Sequence, residues 1–292
     1  MTEDTKEPEP EEADGTEEPT PPEPAQSEAA RRAAEEAEVE RRLRRMSRRG
    51  FVTAAIAVGT GYAGWKWLMH QPRDGGVQEP LRRVLEANEK IAEAYFDPKR
   101  LAPELPLERA AARPRINGHL GLDRNADHSN WRLRIEGMPR GDTADLTLDE
   151  IRRFPRHEMV TEFKCIEGWS MVVHWTGARL SEVMAKFPPA SRSGRRPDLQ
   201  NRNDLARYVA METPGRGYYV GLDMASALHP QTLLVYEINR QPLSWEHGAP
   251  LRLAIPVKYG IKNIKRIATI RYTDIRPPDF WAERGYDWYA GH

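Results

Sequence analysis

Cys165 is the only cysteine in 292 residues, and that count restricts what the chain can become. One thiol closes no internal disulfide, so stability must come from a hydrophobic core rather than from covalent staples. Ordinary zinc and iron–sulfur centres are excluded as well, because no Cys-x-x-Cys or His-Glu-x-x-His spacing occurs. Four uses of the sulfur remain: a small core hydrophobe, an intermolecular pair, a nucleophile, or one ligand of a soft metal whose other sulfurs come from an organic cofactor. The setting favours a pocket. Met159 to Lys164 has the pattern of a short strand, Glu167-Gly168 bends the chain, and a hydrophobic run resumes at Trp169 and Met171-Val172-Val173.

The charge is balanced, 44 basic against 44 acidic residues, but only as an average over unlike segments. Residues 1–30 hold eleven acids and one lysine among many prolines, with too little apolar surface to fold. Residues 31–49 hold eight arginines and four glutamates and suit a charged, solvated helix beside a membrane better than a nucleic-acid site. Phe51 to Met69 follows, the only long apolar segment; at ~1.5 Å per residue it would extend about 28 Å, near one hydrocarbon thickness. Ser47-Arg48-Arg49-Gly50-Phe51-Val52 matches the twin-arginine export pattern. No small-x-small cleavage site follows, and the arginines precede the apolar run. The expectation is an uncleaved anchor through residues 51–69, with the tail cytoplasmic and the remainder on the periplasmic or extracytoplasmic side.

Four segments result: a charged tail (1–46), a twin-arginine signal and anchor (47–69), a linker with one helix at Pro80 to Tyr95 (70–110), and a catalytic domain (111–292). Within the last, strands are expected at Trp131–Ile135, Met159–Lys164, Val172–Trp175, Arg207–Met211, Thr232–Tyr236, Pro250–Ile255 and Ile264–Tyr272. Helices are expected at Leu146–Phe154, capped by Thr147, and at Leu180–Phe187. The class is α+β, with mixed, mostly antiparallel sheets and short helices, preceded by one membrane-spanning or signal helix. About 180 residues suffice for one core.

Three separated motifs carry a resemblance: Cys165-Ile166-Glu167-Gly168-Trp169-Ser170, His247-Gly248-Ala249-Pro250-Leu251-Arg252, and Lys258-Tyr259-Gly260-Ile261-Lys262-Asn263-Ile264-Lys265. Together they resemble the molybdopterin-binding domain of the sulfite oxidase superfamily, and within it the bacterial periplasmic protein-methionine-sulfoxide reductases. The resemblance implies a molybdenum-molybdopterin cofactor, with Cys165 as thiolate ligand and catalytic centre. It further implies cofactor contacts from Asn117, His119, Thr213, His247, Arg252, Asn263, Ile264 and Lys265. His247 departs from the asparagine that such relatives carry. Lys258 and Lys262 are expected to be solvated, and Glu167 to support the site or pair with an arginine.

An exported, membrane-anchored oxidoreductase follows, reducing S-oxides or N-oxides such as methionine sulfoxide, small or protein-bound. It would draw electrons from a membrane-embedded haem protein, because the chain has no haem-attachment or iron–sulfur motif of its own. Two alternatives stand beside it. Sulfite-like oxidation is disfavoured because Glu167 and Trp169 lie where an anionic substrate needs a basic residue; a non-catalytic binding module is disfavoured by the intact motifs. A monomeric catalytic domain and no nucleic acid are expected.

Overall fold

The computed structural model describes residues 26–74 and 76–292. The acidic stretch expected to stay unfolded lies outside the described residues apart from its last positions. The chain divides after Trp67 into two compact units.

The described residues of the first unit all belong to one helix, α1 (Gln26–Met69), which ends two residues into the second. Glu40 and Arg44 pair across one turn at 2.5 Å, and the Thr60 hydroxyl donates to the Ile56 carbonyl at 2.8 Å. Among the described residues no helix is long and apolar enough to cross a membrane. A helix therefore occupies the place expected of the span without a span's hydropathy, because Thr53, Gly59, Thr60, Gly61, Gly64 and Lys66 dilute the apolar run.

The second unit, Leu68–His292, begins with the short antiparallel strands β1 (Arg73–Asp74) and β2 (Val77–Gln78) and the helix α2 (Glu79–Tyr95). In chain order there follow β3 (Leu133–Glu136), β4 (Ala144–Leu146), α3 (Leu148–Arg152), β5 (His157–Lys164), β6 (Ser170–Arg179), α4 (Leu180–Lys186), β7 (Tyr208–Glu212), β8 (Tyr219–Asp223), α5 (Met224–Ala227), β9 (Leu233–Ile238), β10 (Gln241–Pro242), β11 (Arg252–Ala254) and β12 (Thr269–Thr273). One five-stranded sheet runs β10-β9-β6-β5, with β11 also on β9; the other runs β4-β3-β12-β7-β8. Within the two five-stranded sheets, only β12 on β3 is a parallel pair. The class is α+β with mostly antiparallel sheets, as expected.

The main core draws on both sheets, from Leu133 and Ile135 on β3 to Leu234 and Tyr236 on β9 and Ile270 on β12, and closes over α3 and α4. The Thr147 cap of α3 is a full capping box: its hydroxyl accepts from Glu150 N at 3.1 Å, and Glu150 accepts from Thr147 N at 2.8 Å. Asn239 and Arg240 turn β9 into β10 with φ of 52° and 60°.

Three expectations change. Residues 70–110 are packed rather than a free linker: Arg82 donates to the Ala282 carbonyl at 2.8 Å, Arg276 meets Glu89 at 2.7 Å, and Leu105 N bonds Val160 O at 2.8 Å. The strand at Ile264–Tyr272 is shorter, because residues 264–268 are spent on contacts with β11 and β7: Leu253 N donates to Ile264 O and Ala268 N to Glu212 O. Lys258 and Lys262 are buried, 2% and 0% exposed. Lys262 pairs with Asp279 at 2.6 Å, and Lys258 lies 3.4 Å from Asp223 over the ring of Tyr289. Their partners come from β8 and from the segment after β12, so the local pattern held no sign of them.

A pH dependence follows from His229, which is fully buried: its Nε2 bonds the Arg100 carbonyl at 3.1 Å while Nδ1 accepts from Gln231 N at 3.2 Å. That pairing needs the neutral ring, and burial holds its pKa below the ordinary value. The unfolded chain takes up the proton first, at a pKa near ~6.5, so stability is complete above that pH and falls as the medium is acidified. His247 and His292, both pushed down to about 4 chiefly by burial, act in the same direction. Urea midpoints of the cofactor-free protein are expected to decrease from pH 7.5 to 5, with a shallower decrease in His229→Gln.

Candidate active site

Cys165 lies one residue beyond β5. Inward-facing positions alternate along that strand through Met159 and Thr161, and the same parity carries the sulfur inward, leaving it 4% exposed. The β5–β6 hairpin holds it there: Cys165 N donates to Trp169 O at 2.9 Å, Gly168 N donates to Cys165 O at 3.1 Å, and Gly168 takes a φ of 86° that a side chain would resist.

The thiol opens into a cavity of about 170 Å³ lined by Asn117, Gly118, Leu120, Ile166, Glu167, Tyr218, Gly260, Ile261, Asn263, Lys265, Trp281 and Tyr286. A second cavity, about 50 Å³, holds His247, Arg252, Trp175, Arg115 and Phe163, and shares Asn117, Gly260, Asn263 and Lys265 with the first. The two adjoin across these four residues as the two parts of one cleft region, with sulfur on one side and a guanidinium on the other.

Asn117 spans the junction: its Nδ2 reaches Cys165 Sγ at 3.4 Å, and its carbonyl accepts from Lys265 Nζ at 2.7 Å. Lys265 donates also to the carbonyls of Gly118 and Glu246, each at 2.9 Å. Gly248, at φ 95°, permits this, since a Cβ there would lie 2.6 Å from Lys265 Cβ. Arg252 is 4% exposed, donates only to carbonyls, those of His247 at 3.2 Å and of Leu253 and Asn263 at 3.4 Å, and lies over the Trp175 ring at 4.8 Å. Asn263 is locked by Ile255 N, which donates to its Oδ1 at 2.8 Å, and by the Tyr259 carbonyl.

Burial pushes Arg252 down to about 10 and Lys265 to about 7, the second with repulsion from Arg252. Neither is paired with a carboxylate among the described residues. Two basic side chains with no carboxylate at ion-pair distance among the described residues, in a cleft that also presents a thiol, suit an anionic ligand bearing both phosphate and metal. Burial raises the Cys165 pKa, and Glu167 raises it further, against the opposing hydrogen bonds of the Glu167 backbone and Asn117. No group of three or more His, Cys, Asp or Glu side chains among the described residues could hold a metal by itself, so a metal here needs donor atoms from a cofactor.

Of the residues expected at the site, Cys165, Asn117, His247, Arg252, Asn263 and Lys265 converge on the cleft. Three do not line it. His119 is exposed and stacks on Trp245 at 5.3 Å. Ile264 is fully buried in the main core. The Thr213 hydroxyl accepts from Tyr218 N at 2.9 Å and donates to Tyr218 O at 3.1 Å, so it closes the β7–β8 turn and positions Tyr218, which does line the cleft. Sequence reasoning missed Tyr218, Trp281 and Tyr286; the aromatic density of residues 280–289 was the available signal for the last two.

The description "Oxidoreductase molybdopterin binding domain" matches residues 119–281. A protein of Azospira oryzae named as a protein-methionine-sulfoxide reductase subunit, YedZ1, is 33% identical over 75% of this chain and 78% of its own length. The protein-methionine-sulfoxide reductase catalytic subunits MsrP of Xanthomonas campestris and Campylobacter jejuni are 37% and 33% identical over 52% and 59% of this chain. The matches span 48% and 59% of those two relatives' own lengths. The solved sulfane dehydrogenase SoxCD of Paracoccus pantotrophus overlaps 52% of this chain and 40% of its own, at 18% identity and a TM-score of 0.44, and adds nothing to the family match.

Proposed function

This chain belongs to the oxidoreductase molybdopterin-binding domain family, and we propose that it is a reductase of S-oxides, with methionine sulfoxide the leading substrate. It is an oxidoreductase with a molybdopterin cofactor. The observation that carries the reading is the cleft with the Cys165 thiol on one side and the basic side chains of Arg252 and Lys265 towards the other. The names of the three relatives support the substrate.

Cys165 would be the protein's ligand to molybdenum and Arg252 would hold the anionic end of the pterin, with Lys265 contributing its charge while its three donors brace the carbonyls of Asn117, Gly118 and Glu246. His247, neutral at pH 7, presents a ring nitrogen to the same ligand. The bound molybdenum cofactor supplies oxygen-atom exchange coupled to two-electron chemistry. Tyr218, Trp281 and Tyr286 pack around the substrate's carbon substituents and reduce its contact with water. Asn117 fixes the thiolate through its 3.4 Å contact and is itself fixed by Lys265. The net reaction takes a sulfoxide, two electrons and two protons to a sulfide and water.

The chain carries no haem-attachment or iron–sulfur motif, so we assign the electrons to a membrane-embedded haem protein. The twin-arginine motif at Arg48-Arg49 and the weakly apolar run after it support export of the folded, loaded protein to the extracytoplasmic side, with residues 51–69 retained at the membrane.

The test is turnover of the loaded protein with a reduced artificial donor. Expected is methionine formed from methionine sulfoxide, with two electrons consumed per product. Oxidation of sulfite with no sulfoxide reduction would overturn the assignment.

A further inference from the structure

We propose that Glu167 sets the charge selectivity of the cavity mouth, admitting neutral sulfoxides and turning away anionic ones. The inference deepens the reductase reading and rests on it for the identity of the substrates. Glu167 is exposed, lines the cavity beside the thiol, and accepts a hydrogen bond from Trp169 Nε1 at 2.9 Å. Among the described residues no ion pair neutralises it, so of the two expectations, support of the site or an arginine partner, the second is not met. Arg115 lies instead on the face of the Trp169 indole, 4.6 Å from its centroid.

The other charged group on this cavity wall is Lys265, and all three of its N–H donors are directed at main-chain carbonyls. Tyr218, a further polar side chain on the wall, gives its hydroxyl proton to the Ile261 carbonyl at 2.5 Å. An entering anion therefore meets an unneutralised carboxylate and no uncommitted cationic donor on this wall; Arg115 and Arg252 line the adjoining cavity instead. A neutral sulfoxide incurs no such repulsion, and Trp281, Tyr286 and Leu120 offer contact to its carbon substituents. One unit charge several ångströms from another, at the intermediate dielectric of a cavity mouth, changes an equilibrium about tenfold.

The experiment uses the single cysteine of the full-length, cofactor-free chain. Cys165 is alkylated at low ionic strength with neutral iodoacetamide and anionic iodoacetate, and the ratio of the two rates cancels the thiol's own ionisation. Glu167→Gln is expected to lower the preference for the neutral reagent about tenfold, and Glu167→Lys to reverse it. The loaded protein is then given methyl phenyl sulfoxide and its 4-carboxylate, whose kcat/KM ratio should shift the same way. Unchanged ratios in both assays, with folded variants by circular dichroism, would overturn the proposal even if both sulfoxides are reduced. A shifted alkylation ratio in a protein that reduces neither sulfoxide would leave the selectivity standing and sink the reductase reading instead.

Discussion

Asp279→Ala is expected to destabilise the protein by about 3–5 kcal/mol, the usual cost of removing one partner of a buried ion pair. Lys262 and Asp279 are each 1% exposed at the side chain and lie 2.6 Å apart. The remaining groups are satisfied around them. Lys262 Nζ donates to the Gly221 carbonyl at 2.9 Å, and Asp279 accepts from the amides of Gly221, Trp281 and Ala282, each at 3.2 Å. Without the carboxylate, an ammonium group is left in the core against the Trp288 ring, and those amides lose their acceptor. The pair also joins the 260–262 turn to the segment carrying Trp281 and Tyr286, so the cleft should loosen before the fold is lost. Urea titration at pH 7 measures the first effect. Replacing both residues together, Lys262→Met with Asp279→Leu, is expected to cost less, because no charge is then left unpaired and only the loss of the amides' acceptor remains.

Cys165→Ala is expected to lower turnover on the order of a thousandfold or more, the scale seen when a group bound to the reacting centre is removed. Stability should change by roughly 1 kcal/mol, since the loss is one small sulfur at the edge of a cavity. Asn117→Ala gives the contrasting case. Its amide touches the sulfur at 3.4 Å without being a ligand, and its removal should cost about 10–100-fold. Equal losses in the two variants would assign the sulfur no privileged role. Steady-state kinetics with a reduced artificial donor, on protein of matched cofactor content, separates these outcomes.

Much of this arrangement was legible in local pattern. The strand before Cys165 and the bend after it follow from alternation and from Gly168, and the α3 cap follows from Thr147 with Glu150. Cys165, Asn117, His247, Arg252, Asn263 and Lys265 come from stretches far apart in sequence, and the motif resemblance brought them together before the fold did. What stayed hidden depends on long-range pairing. Lys258 and Lys262 look like surface lysines until Asp223, Asp279 and Tyr289 are brought to them. β8 gives little signal because Gly221 interrupts it, and that glycine is where the Trp288 and Pro277 side chains approach too closely for a Cβ. Thr213, expected at the cofactor from the motif, is held by both main-chain groups of Tyr218 and stands behind the cavity lining, a placement only the β7–β8 pairing reveals. Residues 70–110 look like a linker by composition, yet Arg82, Glu89 and Phe96 pack them against the C-terminal segment.

The most direct measurement of the central claim is molybdenum and pterin content per chain, with the visible absorption spectrum, for the protein and for Cys165→Ala purified from a host with a working twin-arginine pathway. The account predicts close to one molybdenum and one pterin per chain in the parent, and loss of the thiolate-to-metal absorption in the variant. A well-folded parent with neither molybdenum nor pterin, or a variant that keeps the parent's absorption, would contradict it.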